Sequence, residues 1–149
     1  MQGVQQKVLA YITFKDQLLI FSHPDFPEAG LQVPAGTLLP GERPGDGVMR
    51  EACEETGMKN LRLIRFIGET CRDMRDFGLE QIHQRFYFHL ACSAEPPLTW
   101  RHYETNPSDG SPGPIAFDFF WVSLTSNVPP LIADMDEKLP ELIRRMDTD

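Results

Sequence analysis

What this 149-residue chain lacks narrows its class before any motif is read. Cysteine is scarce: Cys53, Cys71 and Cys92 are an odd three, widely spaced and without a Cys-x-x-Cys pair. That pattern excludes a disulfide frame or a thiolate zinc site and reads as free thiols in a reducing compartment. No stretch approaches the roughly 18–20 uninterrupted apolar residues of a membrane span. The opening Met1-Gln-Gly-Val-Gln-Gln-Lys7 has no apolar core of secretion-signal length. The expectation is a cytoplasmic protein with no membrane partner. Positive charge is short too, because 14 Lys and Arg against 22 Asp and Glu leave a formal net charge of −8. Such a surface repels phosphate backbones and argues against a stable nucleic-acid partner. A small phosphorylated substrate stays possible if a metal cation supplies the compensating charge.

Internal repeats and linker-like runs are also missing, and the length suits one core, so residues 1–149 read as a single domain. Residues 7–14 and 17–23 are β-rich around Lys15-Asp16 and read as a hairpin. A Pro/Gly-containing loop over 24–30 leads to a short strand at 31–33 that ends at Pro34. Residues 43–56 read as a helix, with Pro44 at its start and Gly57 just past its end. Strands are expected over 61–71, 81–92 and 116–124. Residues 93–114, with five prolines and two glycines, read as a long loop or insertion. A C-terminal amphipathic helix is expected from about 133 to 146, with Pro140 able to kink it. The order β-β-β-α-β-β-β-α predicts an α/β sandwich with a mixed sheet.

The chemistry concentrates in residues 36–58. On a helix turning about 100° per residue, Glu51, Glu54 and Glu55 fall within one narrow arc. Arg50 stands an i,i+4 step from Glu54, and Val48, Met49, Ala52 and Cys53 fill the opposite, apolar arc. One arginine cannot neutralise three glutamates, whereas a hard divalent cation with oxygen ligands can. Glutamate pairs on helices are ordinarily a solvated face. The preceding loop argues otherwise, because Gly36, Pro40, Gly41 and Glu42 build a tight turn that aims backbone and a further carboxylate at that helix face.

These residues resemble the Nudix box, G-x5-E-x7-R-E-U-x-E-E-x-G-U, where U is apolar. Gly36, Glu42, Arg50, Glu51, Glu54, Glu55 and Gly57 stand at its seven fixed positions, with Ala52 and Met58 at the apolar ones. A chance match is on the order of one in a million per chain. The lead-in Leu31-Gln-Val-Pro-Ala-Gly36 also resembles that family, and the resemblance implies a Nudix-type α/β/α sandwich. It further implies Mg²⁺- or Mn²⁺-dependent hydrolysis of a pyrophosphate bond in a nucleoside diphosphate linked to another moiety, by water attack on phosphorus. By the same resemblance Glu54 and Glu55 would be metal ligands and Glu51 a ligand or general base. The backbone at Ala35 and Gly36, chiefly the Ala35 carbonyl, would be a further ligand. Glu42 and Arg50 would orient the carboxylates.

Outside the box the residues speak less plainly. A loop glutamate serves as base in some relatives, and Glu95 is the candidate by context, with Glu104, Asp109 and Asp118 nearby in sequence. His83, Arg85, Tyr87 and His89 share one strand face, which could offer cations and a stacking ring to a nucleotide or could be a solvated sheet face. In residues 116–124, Phe117, Phe119 and Trp121 alternate with Asp118, Phe120 and Val122, a stripe that reads as core. His23 sits on a loop that could border the site. Family markers for ADP-ribose, dinucleoside polyphosphates and coenzyme A are missing: Asp73, Met74 and Arg75 stand where the first two would be, and residues 18–23 lack the third. The substrate class stays open. A turnover-silent nucleotide-binding regulator is the alternative, though such proteins usually break the box. An acidic interaction module is the third reading, and it needs no glycine loop. The long loop and strand edges would permit a homodimer.

Overall fold

The computed structural model describes residues 3–105, 113–126 and 128–147. Among them the strands are β1 (Gly3–Phe14), β2 (Gln17–Ser22), β3 (Ala35–Thr37), β4 (Leu61–Asp73), β5 (Gln81–Cys92), β6 (Thr99–Glu104) and β7 (Ile115–Ser123). The helices are α1 (Pro44–Thr56) and α2 (Leu139–Asp147). The strands form one mixed sheet ordered β4-β5-β1-β2-β7-β6, with β3 added beside β1.

β1 organises the molecule because its side chains are apolar on both faces. Val8, Ala10 and Ile12 join a core beneath α1 with Val48 and Ala52, and Leu9 and Tyr11 join a second core beneath α2 with Leu139 and Leu142. A strand with that composition is stable only when covered on both sides. The result is helix, sheet, helix, as the box resemblance implied. β5 runs parallel to β1 on one side, with Val8 opposite Phe86. On the other side β1 is shared: β2 pairs only near its end, where Thr13 meets Leu18, and β3 takes the first half, where Val8 meets Gly36. That division carries the glycine loop into the sheet beside α1.

The aromatic stripe of β7 is core, as its alternation suggested: Phe117 and Phe119 pack beneath α1, and Phe120 and Val122 pack against the other core. Three expectations need correction. The region 93–114 is not all loop, since Thr99–Glu104 forms edge strand β6 against β7, with Trp100 opposite Phe119. Residues 31–33 make a single bridge, Gln32 to Phe21, and the regular strand begins after Pro34, whose missing N–H interrupts the ladder. The last helix starts at Leu139 and not near 133, because Ala133 and Asp134 adopt left-handed backbone (φ 53° and 59°) that no helix can pass through. Pro140 therefore lies in the first turn, where its lost N–H costs nothing. No helix among the described residues is long and apolar enough to cross a membrane.

Candidate active site

The helix bearing the carboxylates starts with Pro44 in its first turn and ends at Gly57, whose left-handed φ of 77° closes the cap with an N–H to the Cys53 carbonyl. Its buried residues include Val48, Glu51, Ala52 and Glu55. These follow i, i+3, i+4, i+7, so two of the acids share the apolar stripe that packs on the sheet. The acidic arc is thus split: Glu51 is 2% and Glu55 6% exposed, whereas the Glu54 side chain is 51% exposed.

Arg50 ties these acids to the loop. Its Nε and Nη2 donate to the two oxygens of Glu42, both at 2.9 Å, and Nη1 donates to Glu51 Oε1 at 2.8 Å and Glu54 Oε2 at 3.4 Å. Nη2 also donates to the Thr37 carbonyl at 3.1 Å, so one planar fork joins loop, strand and helix. The Arg50 bond and a second from the Leu39 N–H hold the Glu42 carboxyl down at about 2. Glu51 goes the other way: burial pushes its carboxyl up, although Arg50 opposes this. Its Oε2 is buried and has no hydrogen-bond partner among the described residues.

Gly36 explains how that carboxylate fits. A Cβ at this position would overlap the Glu51 carboxylate, so a glycine alone leaves room for it against β3. Next to it the Ala35 N–H donates to Glu55 Oε1 at 3.2 Å. From the far edge of the sheet, β6 brings a third acid. Glu51, Glu55 and Glu104 are all buried, and one oxygen of each lies within 4.8 Å of the others. That donor set is all hard oxygen, with one oxygen of Glu51 unsatisfied, and it suits a divalent cation of the Mg²⁺ or Mn²⁺ type.

The NUDIX domain family model matches residues 4–146. The chain belongs to the Nudix family. Solved structures of proteins named as Nudix hydrolases share its fold. A UDP-X diphosphatase superposes with a TM-score of 0.68 at 15% identity, covering 99% of this chain and 65% of that one. The chain thus spans less than two thirds of that protein. An ADP-ribose pyrophosphatase from Streptococcus suis gives 0.63 at 16%, covering 95% and 91% of the two chains. A MutT NUDIX hydrolase from Burkholderia pseudomallei gives 0.64 at 20%, covering 95% and 99%.

Against this Nudix frame, the remaining sequence candidates fall in different places. Glu95 lines a separate groove of about 460 Å³ with Gly57, Trp100 and His102. Asp118 is held across β6–β7 by Arg101 at 2.6 and 3.0 Å, and Asp109 lies outside the described residues. His23 packs its ring edge-on against Phe26 and Phe117. The β5 face offered as cationic or solvated is neither open nor wet: His83, Arg85, Tyr87 and His89 are all buried. Tyr87 is a core residue, its ring centroid 5.3 Å from that of Tyr11, and it presents no stacking surface. Its hydroxyl donates to Glu137 Oε2 at 2.6 Å, and Arg85 Nη1 donates to the same oxygen at 3.0 Å. Burial pushes the His83 imidazole down to about 4, with Lys7, Arg85 and Arg72 adding to it. His83 and Arg85 still line, with Lys7, Met74, Ala35 and Gly36, a cavity of about 150 Å³ beside the box loop.

In the sequence Glu104 is one of several neighbouring acids, and Trp100 and His102 belong to no motif. The signal was available: Trp100, His102 and Glu104 recur at period two on one face, with Arg101 and Tyr103 on the other.

Proposed function

We propose that this chain hydrolyses the pyrophosphate bond of a nucleoside diphosphate linked to another moiety, with a divalent cation held by Glu51, Glu55 and Glu104. The carrying observation is the convergence of those three buried carboxylates within 4.8 Å. Burying acids together is unfavourable unless a cation or protons compensate, and the names of the similar hydrolases agree with pyrophosphate chemistry. The ion, when bound, would neutralise charge developing on the phosphoryl oxygens. The protein's own residues do the rest. Arg50 anchors Glu51 through Oε1, leaving Oε2 to bind the ion or take the proton of the attacking water. Glu42 fixes Arg50, the Ala35 N–H fixes Glu55, and half-exposed Glu54 faces the water side. The cavity beside Ala35 and Gly36 would take the part of the substrate next to the diphosphate, with Lys7 at its wall.

The test is turnover. Incubation with Mg²⁺ or Mn²⁺ and a panel of nucleoside triphosphates, nucleotide sugars, ADP-ribose and dinucleoside polyphosphates is expected to convert one of them to a nucleotide product plus the phosphorylated remainder: pyrophosphate from a triphosphate, a sugar phosphate from a nucleotide sugar, ribose phosphate from ADP-ribose, a second nucleotide from a dinucleoside polyphosphate. Glu55→Gln and Glu104→Gln are expected to lose about 100-fold or more while staying folded. Tight binding of one nucleotide without turnover would point to a regulator, and full activity in both variants would refute the assignment.

A further inference from the structure

β6 is an edge strand, hydrogen-bonded within the sheet to β7 alone among the described residues. That pairing sets its register on β7 and leaves its distance from α1 undetermined, yet Glu104 must reach Glu51 and Glu55 on the helix. Two side chains on the face that carries Glu104 span the gap. Trp100 Nε1 donates to the Thr56 carbonyl at 2.8 Å, and His102 Nε2 meets the Glu54 carbonyl at 2.9 Å. A carbonyl only accepts, so Nε2 carries the proton.

Both acceptors belong to the last turn of α1, where helix carbonyls have no partner within the helix and favour donors and cations. Gly57 makes the approach possible, because a Cβ there would stand 2.7 Å from His102 Nδ1. The Trp100 ring is fixed from behind by stacking on Phe119 at 5.1 Å and 14°. The glycine that ends the helix thereby also admits the clamp.

We propose that His102, assisted by Trp100, is a positioning residue: its bond to the Glu54 carbonyl locks β6 against the end of α1 and so holds Glu104 at the carboxylate cluster. The consequence for catalysis rests on the cation reading above. Each side chain acts through the backbone carbonyl it binds.

The experiment measures Mn²⁺ affinity of the full chain by electron paramagnetic resonance, without nucleotide, beside thermal unfolding. His102→Leu keeps bulk and loses the donor, and it is expected to weaken Mn²⁺ binding roughly tenfold or more. His102→Gln, whose amide N–H can reach the same carbonyl, is expected to stay within about twofold of the parent. A folded His102→Leu protein with unchanged affinity would overturn the clamp, as would a Gln variant as weak as the Leu one. Should His102→Leu not fold, Trp100→Phe keeps the stacked ring, loses the indole N–H and is read the same way. Glu55→Gln and Glu104→Gln separate the two ideas. If they weaken Mn²⁺ binding and the folded clamp variants do not, the clamp fails alone. If none of the variants weakens it, the cation reading fails and takes the clamp with it.

Discussion

Gly36 shows how one missing side chain places another residue's charge. With no Cβ it lets the Glu51 carboxylate lie against β3, and Arg50 then holds Oε1 while Oε2 has no partner among the described residues. Gly36→Ala is expected to keep its circular dichroism spectrum and lose roughly 10–100-fold in turnover, as for other residues that orient ligands. Undiminished turnover would mean that Glu51 is not needed at that place. These relations were legible in the sequence because they are local: Gly36, Glu42, Arg50, Glu51 and Glu55 lie within one short strand, the loop after it and one helix. Glu104 was harder to single out, since the short alternation of Trp100, His102 and Glu104 marks a strand face without saying that this face, and neither Glu95 nor Asp118, meets the helix. Topology decides that, by pairing β6 with β7 and leaving Glu95 at a different groove.

Among the elements, β6 and α2 were the hardest to read, and for opposite reasons. β6 hides between Pro97 and Pro107, six residues whose alternation is real but short, in a segment whose proline content speaks for loop. α2 looked longer than it is, because the stretch from about 133 to 138 belongs to the end of a single 3₁₀ turn (Ile132–Asp134) and the turns after it, which precede the α-helix. There Tyr11 donates to the Met135 carbonyl at 2.6 Å, and Glu137 binds Arg85 and Tyr87. The strands β1, β2, β5 and β7 were plain, since β1, β2 and β7 carry apolar runs and β5 alternates along its length. α2 and α1 cover opposite faces, so packing beneath α2 and cation binding at Glu51, Glu55 and Glu104 should separate. Leu142→Ala, which empties a fully buried position beneath α2, is expected to cost about 2–5 kcal/mol in denaturant unfolding. Its Mn²⁺ affinity should stay at the parent level. A matching loss of affinity would show that the two faces are coupled.

At the scale of the whole molecule, a chain of net charge −8 is expected to handle a polyanionic substrate. Its own surface opposes the approach of a diphosphate. The structure answers by burying three acids together at the junction of α1, β3 and β6, where a cation would reverse the local sign. The sheet serves that junction: β1 gives its first half to β3 and the glycine loop, and the far edge returns β6 to the helix end. The Lys7, His83 and Arg85 side chains lie along the cavity that opens beside Gly36. The most direct measurement is anomalous diffraction from crystals grown with Mn²⁺. The expected result is a peak bound at roughly 2.1 Å by oxygens of Glu51, Glu55 and Glu104 together. A Mn²⁺ peak elsewhere, with Glu104 turned away from the two helix glutamates, would contradict it.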